Sequence, residues 1–65
     1  MKRSDVYTLA KTVCSNRELQ VLKWWSEGVG VRRTAELLGV HESTIREHRR
    51  RALRKVDDAL VESAA

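Results

Sequence analysis

GVGVRRTAELLGVHESTIREHRRRALRKV, residues 28 to 56, is the stretch whose reading decides the fold. Ala35 and Leu38 are three apart and therefore share one face of a helix. Gly39 follows directly, where a helix end favours a residue that reaches positive φ without a Cβ penalty. Val40 then buries the turn, and a second helix begins around Glu42 with Ile45 as its first inward residue. Two short helices joined by a turn of three to four residues containing Gly read as a helix-turn-helix.

Beyond that stretch the chain has little room. Sixty-five residues allow one domain and a small core, close to the lower limit for folding without staples. A single cysteine excludes an internal disulfide, and Cys14 reads as a reduced, half-buried helix residue. No apolar run approaches the roughly 20 residues of a membrane span, and no signal-peptide h-region is present. A cytoplasmic protein, nucleoid-associated if it binds DNA, is expected. Proline is absent, and the three glycines all fall between Gly28 and Gly39. The expected class is all-α, with the irregular backbone gathered at the motif.

The remaining helices are read from caps and periodicity. A first support helix spans about 4–13, capped by Ser4 or Asp5, with Val6, Leu9, Ala10 and Val13 along one face. Ser15 and Glu18 form an S-x-x-E capping box that opens a second support helix over about 16–27. Leu19, Leu22 and one of the two tryptophans point inward there, with Val21 at the flank and Gly28 as the stop. Trp24 and Trp25 sit about 100° apart on a helix, so one fills the core. The other is partly exposed, and exposed Trp is enriched at protein interfaces.

The helix-turn-helix itself covers about 31–52 within a single domain of residues 1–65. Its first helix runs from Val31 to Leu38, with Gly30 as an N-cap that lacks a side-chain acceptor. Its second starts with His41 near the N-cap and extends to about 61. The inward stripe there is Ile45, Ala52, Val56 and Leu60 or Ala59, with Leu53 alongside. Between Ile45 and Ala52 the inward residue has to be His48 or Arg49, whose stem covers the core while its polar head reaches solvent.

Charge is concentrated on the motif. Residues 32 to 55 hold eight Arg or Lys against three Glu, whereas the remainder holds five basic and six acidic residues. The excess positive charge therefore lies on the helix-turn-helix, which suits a polyanion. A solvated charged face is the plain alternative. Glu42, Ser43, Arg46, Glu47 and Arg50 form one stripe turned away from Ile45. In a helix-turn-helix this stripe enters the major groove, N-terminal residues nearest the base edges. Arg46 can pair bidentately with guanine, and Glu47 can accept from cytosine N4 or orient an arginine beside it. Ser43 and Thr44 can donate to phosphates at the positive end of the helix dipole. Arg32 and Arg33 are candidates for the same backbone. On the plain alternative of a solvated helix face, Glu42–Arg46 and Glu47–Arg51 are ordinary i,i+4 salt bridges and Arg50–Arg54 a repulsive pair.

AELLGVHESTIREH (35–48) resembles the helix-turn-helix of the LuxR-type response regulators and of sigma-70 region 4. Their common pattern is roughly E-I-A-x-x-L-G-I-S-x-x-T-V-K-x-H, and Ala35, Leu38, Gly39, Val40, Thr44, Ile45, Arg46 and His48 fall on matching or similar positions. Upstream, SNRELQVLKWWSEG (15–28) resembles the T-x-R-E-R-E-V-L-x-L-x-x-x-G that precedes the motif in both groups. Downstream, RRRALRKVDDAL (49–60) is more similar to the sigma side. The resemblance implies DNA contact at Arg46. It also implies that Gly30 replaces a Ser or Thr whose hydroxyl often touches phosphate, and that Arg33 replaces a Glu.

No catalytic triad, phosphate-binding glycine loop or paired carboxylates in a cleft can be assembled from these residues, and His41, His48 and Cys14 lack metal-site spacing. No enzyme activity, cofactor or metal is expected. The expected function is a sequence-specific regulator of transcription that binds double-stranded DNA, standing alone in the manner of phage or mobile-element proteins or cut from a larger chain. Two alternatives stay open: a module docking on RNA polymerase or another regulator, and a non-regulatory DNA-binding subunit such as a terminase or recombination accessory factor. Leu53, Val56, Leu60 and Val61 serve either the core or the seam of a homodimer.

Overall fold

The computed structural model describes residues 2–64, which form four α-helices. These are α1 (Arg3–Ala10), α2 (Asn16–Ser26), α3 (Val31–Leu38) and α4 (Glu42–Ala64). The 23 residues of α4 make it the spine of a body measuring 39 × 18 × 15 Å, and the other three helices pack along it.

Two apolar clusters hold the helices together. In the first, Ala10 of α1, Leu22 of α2 and Ala52 and Val56 of α4 are buried, with Leu19, Trp25, Leu53 and Leu60 packed around them. In the second, Val21 of α2, Ala35 of α3 and Ile45 of α4 are buried beneath Val31, Leu38 and Val40. Val21 is thus a core residue, not a flanking one. Adjacent residues of one helix diverge by about 100°, so Val21 and Leu22 feed two neighbouring clusters and α2 ties the support helix to the motif. Leu53, Val56 and Leu60, which could serve core or seam, are engaged in the core, and Val61 is left 64% exposed. His48 and Arg49 are both half-buried, sharing the position expected for one of them.

The ends of α1 and α4 differ from the expectation. Lys2, not Ser4 or Asp5, is the N-cap of α1, and its backbone N–H donates to Asp5 Oδ2 at 3.4 Å. The helix stops at Ala10 instead of about 13, because Thr12 donates both its hydroxyl (2.8 Å) and its amide (3.1 Å) to the Leu9 carbonyl. Val13 consequently leaves the packed face and is 38% exposed. Cys14 lies in the bend rather than in a helix, with Sγ 3.7 Å from the Ala52 carbonyl. At the other end α4 runs through Ala64, past the expected 61.

The capping box of α2 forms, with Ser15 N–H donating to Glu18 Oε1 at 2.9 Å and Glu18 N–H to Ser15 Oγ at 3.4 Å. The same carboxylate meets Lys55 Nζ of α4 at 2.7 Å, and Glu18 is buried. One side chain therefore starts α2 and pins it to the spine. Burial pushes the Glu18 carboxyl up, but hydrogen bonds from Lys55 and Ser15 and the Lys55 charge outweigh it and hold the carboxyl below its ordinary range. A carboxyl depressed in the folded state stabilises the fold fully above its unfolded pKa. That contribution fades as the pH falls through the folded value. Glu18→Gln is expected to flatten this acid limb, read as stability in urea between neutral pH and the region below ordinary carboxylate titration. An unchanged pH profile would show that the ion pair contributes nothing.

Gly39 closes α3 at φ 68°, and its amide and that of Val40 return to the carbonyls of Glu36 and Ala35. A Cβ there would meet no atom within 4 Å. The cost of Gly39→Ala is therefore conformational alone, about 1–2 kcal/mol for a left-handed L-residue. Thermal melting checks it, and a melting point equal to the parent's would contradict the assignment of strain.

Candidate nucleic-acid interface

The geometry of the stripe begins with a cap. His41 precedes α4, and its carbonyl accepts the amides of Thr44 (3.0 Å) and Ile45 (3.3 Å). Its imidazole does what an Asp or Ser usually does at this position. Nδ1 accepts the Ser43 amide at 3.1 Å and lies 2.8 Å from the Ser43 hydroxyl. Since Nδ1 accepts, the ring proton sits on Nε2. Ser43 is exposed but its hydroxyl is already engaged with His41, whereas Thr44 is half-buried.

Along the rest of the stripe Arg46 and Arg50 are exposed and Glu42 and Glu47 half-buried. Among the described residues Glu42 and Arg46 form no ion pair, unlike the plain reading of a solvated charged face, and Arg46 has no acidic partner. Glu47 does pair with Arg51, whose Nε lies 2.9 Å from Oε1. It also takes Arg50, whose Nη2 donates to both carboxylate oxygens at 2.8 and 2.7 Å. The hydrogen bond from Arg50 comes first in holding the Glu47 carboxyl below its ordinary range, and with the charges of Arg50 and Arg51 it outweighs the upward push of desolvation.

On α3 Arg32 and Arg33 are both exposed, and both reach Glu36, at 3.9 and 3.3 Å. Each helix of the motif thus carries one Glu shared by two arginines. A shallow open concavity lined by Arg32, Ala35, Glu36, Gly39, Val40, His41 and Glu42 joins the two helices. It places Arg32 on the same surface as the start of α4. Thr34 is buried beneath, its hydroxyl donating to the Gly30 carbonyl at 2.9 Å, so the α3 N-terminus is tied without a side-chain N-cap.

Sequence reasoning missed the doubled use of Glu36 and Glu47. The signal was present in the i,i+3 spacings of Arg33–Glu36 and Glu47–Arg50, which place the charges side by side on a helix. Trp24 and Trp25 form no bare apolar patch. Trp25 packs against the first cluster with the Arg3 guanidinium 4.8 Å above its ring, and half-buried Trp24 has Lys23 Nζ at 5.6 Å. Among the described residues no three His, Cys, Asp or Glu converge on a metal position, and no helix is long and apolar enough to cross a membrane.

Residues 12–57 match the family model described as bacterial regulatory proteins, luxR family. The match spans α2, α3 and most of α4, and leaves α1 outside it. No curated protein and no solved structure matches the chain.

Proposed function

Because the chain belongs to the luxR family of bacterial regulatory proteins and carries its helix-turn-helix DNA-binding domain, we propose that it regulates transcription by reading a specific sequence in double-stranded DNA. The observation that carries this reading is the exposed Arg46, free of acidic partners among the described residues, on the outward stripe of α4. Arg46 reads a base, guanine being the best bidentate match. Glu47 is next to it and Arg50 lies one turn further along, and Glu42, Ser43 and Thr44 sit at the groove edge. Arg32 and Arg33 bind the adjacent phosphates from α3. Phosphate contacts set the register and base contacts the sequence.

The reading unit is a monomer, since only Val61 of the expected seam is exposed. Docking on RNA polymerase has no exposed tryptophan patch to support it. Selection from a randomised duplex pool at near-physiological salt tests the proposal. One short enriched element is expected, whereas an inverted repeat would assign a dimer. No enrichment, with only salt-sensitive bulk binding, would sink base readout and favour a non-regulatory DNA-binding or protein-docking role.

A further inference from the structure

The seven arginines of the motif fall into two groups. Arg32 and Arg33 share Glu36, and Arg50 and Arg51 share Glu47, while Arg46, Arg49 and Arg54 have no acidic partner among the described residues. Glu47 differs from Glu36 in its place: it lies on the outward stripe of α4 beside Arg46, with both carboxylate oxygens occupied. A carboxylate there repels phosphate and competes with it for two guanidinia.

We propose that Glu47 is a specificity-determining residue that restrains Arg50 and Arg51, keeping them from phosphates of the wrong sequence and releasing them only where the correct site offers a better partner. The proposal rests on the DNA-binding reading above. The physical basis is a competition. An exposed Arg–Glu pair is weak, so a bidentate guanine edge displaces it. A phosphate on random DNA attracts through counterion release, which grows with the number of free cations. While Glu47 holds two of them, that attraction is reduced wherever the bases supply nothing further. Glu36 holds its arginines more loosely, with Arg33 at 3.3 Å and Arg32 at 3.9 Å, and lies off the base-reading stripe, so its removal strengthens binding to all sequences equally.

The test is Glu47→Gln, which keeps shape and removes the charge, beside Glu62→Gln, which makes the same charge change near the far end of α4. Binding to the selected duplex and to a random-sequence duplex is measured by fluorescence anisotropy across a salt series. Circular dichroism confirms that each variant keeps its helices. For Glu47→Gln, affinity for random duplex is expected to rise about tenfold. The slope of log K against log salt should steepen by about 1–2, as one or two more phosphates are engaged. Preference for the selected site should fall about tenfold, while Glu62→Gln changes each quantity less than twofold.

Equal effects from the two variants would overturn the proposal by reducing it to net charge. Loss of preference at a single base position with an unchanged slope would overturn it by making Glu47 a direct base reader. If the parent protein binds no duplex at all, the DNA-binding reading fails and this inference with it. Parent binding that is salt-dependent and untouched by Glu47→Gln sinks this inference alone.

Discussion

Leu22→Ala is expected to leave the domain largely unfolded at physiological temperature. Leu22 is fully buried in the cluster that joins α1, α2 and α4. Truncating a buried Leu costs about 2–5 kcal/mol through lost transfer energy and the cavity left behind. A single core in a chain this short rarely supplies more than about 3–5 kcal/mol. The two figures nearly cancel. No disulfide or metal position is present among the described residues to make up the loss. Thermal melting followed by circular dichroism should show a cooperative transition for the parent and a shallow slope for the variant. Val61→Ala, at an exposed site, should stay within about 0.5 kcal/mol of the parent. A Leu22→Ala protein that melts cooperatively near the parent's temperature would place the stabilising core elsewhere.

Arg46→Ala is expected to weaken the preferred DNA site by about tenfold to a hundredfold, the worth of one bidentate base contact of about 1–3 kcal/mol. Random DNA should be affected far less. The loss should be confined to one base position, because Arg46 is exposed on the stripe and, among the described residues, makes no ion pair whose removal would disturb the helix. Arg32→Ala should behave in the opposite manner, weakening every sequence to a similar degree and reducing the salt slope by about 1. Arg32 lies on α3 and, among the described residues, reaches only Glu36, at a long 3.9 Å, so it is available to phosphate. Competition binding over a panel of single-base variants separates the two. Equal losses on all sequences from both substitutions would remove the division between base reading and backbone contact.

The backbone of the motif was legible because each of its signals is local. Gly39 alone reveals the end of α3, since the left-handed turn needs no information from the rest of the chain. The Ser15–Glu18 box likewise closes within four residues. Signals that depend on tertiary placement were not legible. Nothing in the sequence around Glu18 points to Lys55, which is 37 positions away and reaches it only because α4 crosses the start of α2. Val21 and Leu22 cannot be ranked by periodicity when two clusters flank the same helix. Val13 fits the apolar period of α1, but Thr12 ends the helix first by bonding the Leu9 carbonyl.

Along the outward stripe of α4 the charged run and the Glu47–Arg51 pair were readable, and the second arginine on Glu47 was not. Arg46, Glu47, Arg50 and Arg51 are visible as a charged run. Whether Glu47 prefers the i,i+3 or the i,i+4 arginine depends on rotamers, and it takes both. Glu42 and Arg46 have the favourable i,i+4 order and still stay apart. At the head of α4, His41 was placed near the N-cap, yet its ring nitrogen acting as the cap acceptor could not be read from a sequence without an Asp or Ser there.

The central claim is that the first half of α4 meets the DNA bases while α3 holds the backbone. Titrating the isotopically labelled protein with its selected duplex and following amide chemical shifts tests it most directly. Large shifts are expected at residues 41–51 and at 30–33, with α1 and Trp24 nearly unmoved. Shifts centred on α1 or Trp24, with residues 41–51 silent, would contradict it.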